Sequence, residues 1–277
     1  MLFLIPVDFS EASAHMLRFT FALNRHFFAR LQILHLFDVP ITAGDDSEVY
    51  LKNYEAYRKS YDDELWEFVR KNRGTFHYDT DVFATSGGHY QGIVSFAKSQ
   101  RPDMIIVGHR GIGGIRRWMV GSVSRYLLTH PPAPVLSVPE GHAFSEEDVF
   151  TRILLTTDLV SELPESGVQF LSSFADRLKA DIRILHVKVR GELELPGESE
   201  RRISLENRFG RPVETVSLEK GEHIHDKVDR YISENGVDLL VTFPHSHTWI
   251  DRLLIGSETR ELSGMVKIPI MSLPGTQ

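Results

Sequence analysis

The sequence predicts an α/β protein in which two doubly wound parallel five-stranded sheets are carried by one chain of 277 residues. Three observations predict it. Short apolar runs of strand length alternate with segments whose apolar residues recur at helical spacing. The pattern that begins at Leu2 begins again at Arg152. A glycine-rich stretch, Val107-Gly108-His109-Arg110-Gly111 followed by Gly121-Ser122-Val123-Ser124, joins an apolar run to a helical one. That is where an α/β fold can hold an anion on main-chain N–H groups and a helix N-terminus.

Each element follows from its residues. Leu2 to Val7 is continuously apolar, as suits a parallel strand buried on both faces. Asp8 closes it, and Ser10-Glu11 starts a helix that Met16, Phe19, Leu23 and Phe27 carry toward Arg30. Leu31 to Phe37 is a second strand. Ser47 to Asn72 reads as a long charged helix bearing Tyr50, Tyr54, Tyr57, Leu65 and Phe68, with Gly74 after it. Tyrosines at this spacing suit a core face, with a partner surface as the other reading.

His77 to Ala84 alternates like an edge strand, and Gly87-Gly88 turns the chain into a helix around Ile93 to Ala97. Met104 to Val107 is the strand before the glycine stretch, and Val123 to Leu128 is the helix after it. Pro134-Val-Leu-Ser-Val-Pro139 is a fifth strand whose bracketing prolines suit a sheet edge. Ligands of such folds bind at the carboxyl ends of strands, where Asp8, Leu36 and Gly108 fall.

The second copy begins after a polar joint from Gly141 to Val149. Arg152-Ile-Leu-Leu-Thr-Thr-Asp158-Leu matches the first strand at an offset of 150, Asp158 standing against Asp8. Ile184-Leu-His186-Val matches Ile33-Leu-His35-Leu. Leu254-Ile-Gly256-Ser257 matches Met119-Val-Gly121-Ser122, and Pro269 to Pro274 matches Pro134 to Pro139, both at an offset of 135. The second copy is therefore fifteen residues shorter, and the loss falls where the first has its tyrosine-bearing helix. Two copies at this period mean two similar domains, 1–140 and 150–277.

Composition narrows the function classes. Apolar residues make up 42% and charged residues 25% of the chain, an ordinary globular balance. A net charge of −7 argues against a nucleic-acid surface. With no cysteine, disulfides, thiol catalysis and Cys-ligated zinc are excluded. The opening run lacks a basic leader and contains Asp8, and no run reaches the ~18 apolar residues of a membrane span. A cytoplasmic protein with no membrane partner is expected.

These residues resemble the universal stress protein family in its tandem form. The resemblance rests on Ile5-Pro6-Val7-Asp8-Phe9-Ser10, on the strand with His35, on Gly-x₂-Gly-x₉-Gly-Ser at 108–122, and on the repeated closing strand. It covers nearly the whole length. It implies an adenine nucleotide alpha hydrolase-like fold with strand order 3-2-1-4-5 in each copy. The copies would pair through their last strands as an intramolecular pseudo-dimer, and a further homodimer is compatible with it. It also implies a stress-response role, an unidentified protein partner, and ATP as ligand, with or without magnesium.

Carried onto this chain, the family's nucleotide site would use Pro6, Val7 and Asp8, with Leu36 on the adenine wall. Val107, Gly108, Gly111, Gly121, Ser122, Val123 and Ser124 would surround ribose and phosphates. The residue chemistry is compatible. Gly108 and Gly111 leave no Cβ between backbone and anion. Ser122 is a good N-cap, and its hydroxyl or that of Ser124 suits a phosphate oxygen. Arg110, Arg116 and Arg117 can supply charge. Asp8 is either a ligand to ribose or adenine, or a cap for the helix that follows.

The second copy departs from this pattern. At the same offset Gly108 becomes Phe243 and Gly111 becomes Ser246, and Pro244 removes a donor. This copy is expected not to bind ATP, which leaves Asp158 as a cap. The pairs His223/His225 and His245/His247 read as surface histidines, and His35 and His186 as satisfied core histidines. The chain has no Gly-x₄-Gly-Lys-Ser/Thr, no Gly-x-Ser-x-Gly and no evident base for water. Catalytic residues are therefore not expected, and ATP hydrolysis should be slow or absent. A nucleotide-free interaction scaffold and a weak ATPase are the competing readings.

Overall fold

The computed structural model describes residues 1–39, 47–109, 121–145, 147, 149–160, 162–189, 193–218, 224–244 and 267–275. The first half runs β1 (Leu2–Pro6), α1 (Glu11–Leu23), β2 (Arg30–Phe37), α2 (Ser47–Asn72), β3 (Thr80–Ser86), α3 (His89–Gln100), β4 (Met104–His109), α4 (Ser122–Thr129) and β5 (Val135–Pro139). The second runs β6 (Arg152–Thr157), α5 (Glu165–Leu178), β7 (Asp181–Val189), α6 (Glu198–Phe209), β8 (Val213–Leu218), α7 (Ile224–Asn235), β9 (Leu239–Thr242) and β10 (Ile270–Ser272).

The strands form one sheet ordered β3-β2-β1-β4-β5-β10-β9-β6-β7-β8. Each half is parallel with the order 3-2-1-4-5, and the halves meet where β10 pairs antiparallel with β5. The two expected sheets are thus joined edge to edge. The proline-bracketed β5 is an edge strand only of its own half; in the molecule it lies between β4 and β10.

Register repeats the sequence offsets. Phe3 faces Met104 in the first half and Ile153 faces Leu239 in the second. Ile105 faces Val135, and Leu240 faces Ile270. The shortening is in the expected place: α2 has 26 residues and α6 has 12.

Both faces of the sheet are covered, as the strands' continuous apolar character requires. Phe3, Ile5, Met104 and Ile106 face α1 and α2, whereas Leu4, Ile105 and Val107 face α3 and α4. Each of the two cores runs across the seam between halves. On the α1 side a file of rings makes the crossing. Phe19 meets Phe150 at 5.5 Å, and Phe174 of α5 meets Phe150 at 6.2 Å and Phe27 at 5.1 Å between centroids.

Helix α1 ends at Leu23, seven residues short of Arg30. The buried Asn24 folds the chain back. Its Nδ2 donates to the Ala29 carbonyl at 2.9 Å, and its Oδ1 accepts from Ala29 N–H at 2.8 Å. Phe27 enters the core from this turn and not from a helix.

Candidate functional site

At the carboxyl ends of β1, β2 and β4, under the N-terminus of α4, lies a cleft of about 540 Å³. Ten of the twelve residues singled out by sequence line it: Pro6, Val7, Asp8, Leu36, Val107, Gly108, Gly121, Ser122, Val123 and Ser124. Arg110 and Gly111 lie outside the described residues, as do Arg116 and Arg117.

Asp8 organises the floor. Its Oδ1 accepts from Ser10 N–H at 3.1 Å, from the Ser10 hydroxyl at 2.5 Å and from the Ser13 hydroxyl at 2.6 Å. Ser10 is the N-cap of α1, its Oγ accepting from Ser13 N–H at 3.2 Å. Asp8 thus fixes the entry to the helix while remaining exposed at the cleft. Phe9, the next residue, holds φ at +59°, and Leu159 holds +55° at the matching place in the second half. A left-handed bulky residue is uncommon and costs about 1–2 kcal/mol. Its recurrence shows that the tight exit from the first strand is built into both halves.

His35 also recurs as a latch. Its Nδ1 lies 3.0 Å from the Val7 carbonyl, and Nδ1 of His186 lies 3.0 Å from the Thr157 carbonyl. Both histidines have partners, and His35 in addition lines the cleft. The ring of Phe9 lies against it at 4.5 Å and that of Tyr61, on α2, at 4.8 Å. Tyr54 and Tyr61 stack on Phe37, so the inner tyrosines of α2 belong to the core.

The two described glycines of the motif stand in different surroundings. A Cβ on Gly108 would meet the Ala12 carbonyl oxygen at 2.9 Å and Met16 Cβ at 3.3 Å. The lack of that Cβ lets α1 close on β4. Gly121 is the reverse case: among the described residues a Cβ there would meet nothing within 4 Å.

Gly121, not Ser122, is the N-cap of α4, and among the described residues no side chain caps it. The first turn of α4 therefore offers its N–H groups toward the cleft, an arrangement that attracts anions. The Ser124 hydroxyl donates to the Gly108 carbonyl at 2.9 Å, tying α4 to β4. Gly92 lets α3 close on the apolar wall, since a Cβ there would meet Leu36 Cδ1 at 2.8 Å.

Sequence reasoning passed over Ser10, Ser13, Ile93 and His109, which also line the cleft. The Asp8-x-Ser10-x-x-Ser13 spacing was a legible capping signal. Ile93 follows the Gly87-Gly88 turn out of an expected strand, so it too was placed at a carboxyl end. His109 stood inside the glycine motif itself.

In the second half Phe243 stands at the position of Gly108. Phe243 is 3% exposed and belongs to the core. Its ring takes the place of a side chain on Gly167 of α5, where a Cβ would come within 2.3 Å of Phe243 Cε1. Small-on-strand and larger-on-helix in one half has become large-on-strand and small-on-helix in the other. Gly167→Ala is expected to cost about 1–3 kcal/mol in a urea titration, with Phe243→Leu in the same chain recovering much of it. Asp158 Oδ1 accepts from Val160 N–H at 2.9 Å, a local turn. The His245/His247 pair, Ser246, Gly256 and Ser257 lie outside the described residues, as do His223 and the side chain of His225.

Two histidines make folding sensitive to acid. Burial pushes His109 down to about 4 from 6.5. Burial, then His15, does the same to His142 in the joint, to about 4, against a partial opposing pull from Asp238. A histidine lowered in the folded state stays neutral while the unfolded chain takes up a proton. Its stabilising effect is complete above 6.5 and is lost as pH falls from there toward 4. For His109 the loss amounts to roughly 2 kcal/mol at pH 5. Urea midpoints should fall between pH 7 and pH 5, and the fall should be smaller in His109→Asn.

The profile of the universal stress protein family matches residues 2–139. The chain belongs to that family. A universal stress protein of Methanocaldococcus jannaschii is 25% identical over 134 residues, which span 48% of this chain and 79% of that protein. One from a Synechocystis species is 26% identical over 175 residues, spanning 61% of this chain and 57% of that protein. The crystal structure of a universal stress protein from Archaeoglobus fulgidus superposes on 99% of this chain and 98% of its own with a TM-score of 0.66. At 16% identity that likeness speaks for the fold, and it extends to both halves of this universal stress protein.

Proposed function

We propose that residues 1–140 form a universal stress protein domain that holds an adenine nucleotide, ATP in the first instance. Residues 150–277 form a second such domain that does not. One observation carries this reading: every described residue that the sequence assigned to a nucleotide lines a single cleft, which the uncapped N-terminus of α4 faces. The cleft's volume falls within the range of about 300–1,000 Å³ usual for small-molecule sites. Val7, Leu36, Ile93 and Val107 provide an apolar wall for a base, and the first turn of α4 provides donors for phosphate.

Asp8 is the carboxylate among the described lining residues, and its Oδ1 is already taken up by Ser10 and Ser13. No group of three or more metal-ligand side chains occurs among the described residues. These residues fit a magnesium ion that rides on the phosphates better than one held by the protein. They also suit retention better than hydrolysis, because the one carboxylate is spent on the fold. Occupancy would then present a changed rim to a protein partner in a stress response.

Mass spectrometry of protein purified gently, followed by titration with ATP, tests the reading. A nucleotide mass, or saturable binding of one equivalent, is the expected result. An empty cleft that also fails to bind added ATP, ADP or AMP would overturn it in favour of the interaction scaffold.

A further inference from the structure

His109 stands in the cleft with no part in the binding scheme above. It is 3% exposed, ends β4 one residue beyond Gly108, and lines the same cleft as Ser122 and Ser124 at the start of α4. Its Nδ1 lies 2.8 Å from the hydroxyl of Ser137, which is itself fully buried on β5. The ring is therefore fixed by one nitrogen beside the place where the N-terminus of α4 would draw an anion. In the second half Pro244 occupies the matching position, so this group belongs to the open cleft alone.

We propose that His109 couples occupancy of the cleft to the uptake of a proton, so that the nucleotide is held more tightly as pH falls. The inference rests on the nucleotide reading given above and adds how that site is regulated.

Among the described residues no ion pair reaches the buried His109 imidazole, and burial pushes its value down to about 4. A polyphosphate supplies the missing negative charge in a setting of low dielectric, which favours the imidazolium. By linkage, a ligand that raises the affinity for a proton is itself bound more tightly when the proton is present. Ser137 Oγ accepts from Nδ1–H in the charged state, so protonation does not orphan that nitrogen. Around His109, β5 and β10 carry no charged residue, but Glu140, just past β5, donates its N–H to the His109 carbonyl at 2.9 Å; α4 carries Arg125 and Tyr126, and the ends of β1 and β2 carry Asp8 and His35. His35 is the comparison residue, because it lines the cleft too.

Calorimetry of ATP binding in two buffers of different ionisation enthalpy, at pH 5.5 and 7.5, counts the protons exchanged. The full-length chain is compared with His109→Asn and His35→Asn, which cancels the proton chemistry of ATP itself. His109→Asn keeps a polar group near Ser137, and its circular dichroism at pH 7.5 shows whether it folds. His109→Gln serves in its place if it does not.

At pH 5.5 the unaltered chain should take up at least about half a proton more per ATP than His109→Asn, with His35→Asn unchanged. Its affinity should also gain at least about twofold more than the variant's between pH 7.5 and 5.5. Equal uptake in the unaltered chain and His109→Asn, or a loss confined to His35→Asn, overturns the role of His109 and leaves the nucleotide site standing. No binding heat at either pH overturns the site itself and the coupling with it.

Discussion

Phe150→Ala is expected to lower the free energy of unfolding of the whole molecule by about 3–5 kcal/mol. Phe150 is 1% exposed and sits just after the joint, outside the secondary structure of either half. Its ring touches Phe19 of the first half and Phe174 of the second, and Phe174 reaches back to Phe27. Truncation would leave a void bounded by helices α1 and α5, neither of which can close it without leaving the sheet. A loss of this size is a large share of the ~5–15 kcal/mol that holds a typical domain folded. Because the core is shared, urea should unfold both halves in one transition, before and after the change. Two separated transitions, with only the later half displaced by Phe150→Ala, would show that the halves are stable on their own.

Gly121→Val should act on ligand and leave the fold alone. The backbone of Gly121 is extended, with φ −60° and ψ 160°, which valine adopts readily. Among the described residues nothing lies within 4 Å of where its Cβ would stand, so the unliganded protein should melt within a degree or two of the parent. The branched side chain would stand over the first turn of α4 and deny a phosphate its approach to the N–H groups there. Losing one or two charge-assisted hydrogen bonds costs about 1.5–3 kcal/mol each, so ATP affinity should fall by at least roughly tenfold. Gly108→Ala is the contrasting control. Its methyl group would strike the Ala12 carbonyl, so it should lower stability first. Unchanged ATP affinity in Gly121→Val would mean that phosphate does not sit at α4.

The fold was legible in the sequence where burial writes directly into residue type. Runs such as Met104 to Val107 and Ile153 to Leu155 are apolar because both faces of the sheet are covered, and they stand as strands. The ends were less legible. Phe27 continues the helical spacing of α1, yet a side-chain clamp by Asn24 ends the helix at Leu23, and Phe27 reaches the core from a turn. Local pattern carries no sign of which backbone group an asparagine will bond.

The site was legible as a set of positions, because glycine, serine and aspartate gather at the carboxyl ends of β1 and β4. The reason for each residue was not. Gly108 answers to α1, which is distant in sequence, and Gly121 took the cap that the hydroxyl of Ser122 seemed suited to. His109 escaped notice because its partner, Ser137, is 28 residues away on another strand.

The antiparallel meeting of β5 and β10 turns the two halves head to tail, so their strand ends point to opposite margins of the sheet. The cleft lies on one margin, and Phe243, just past β9, lies toward the other. If the first half alone holds a nucleotide, as proposed above, the chain is a one-sided token with a single loadable pole, and a recogniser of that pole would meet one copy of it per chain. Any cooperativity in its response would have to come from association of whole chains.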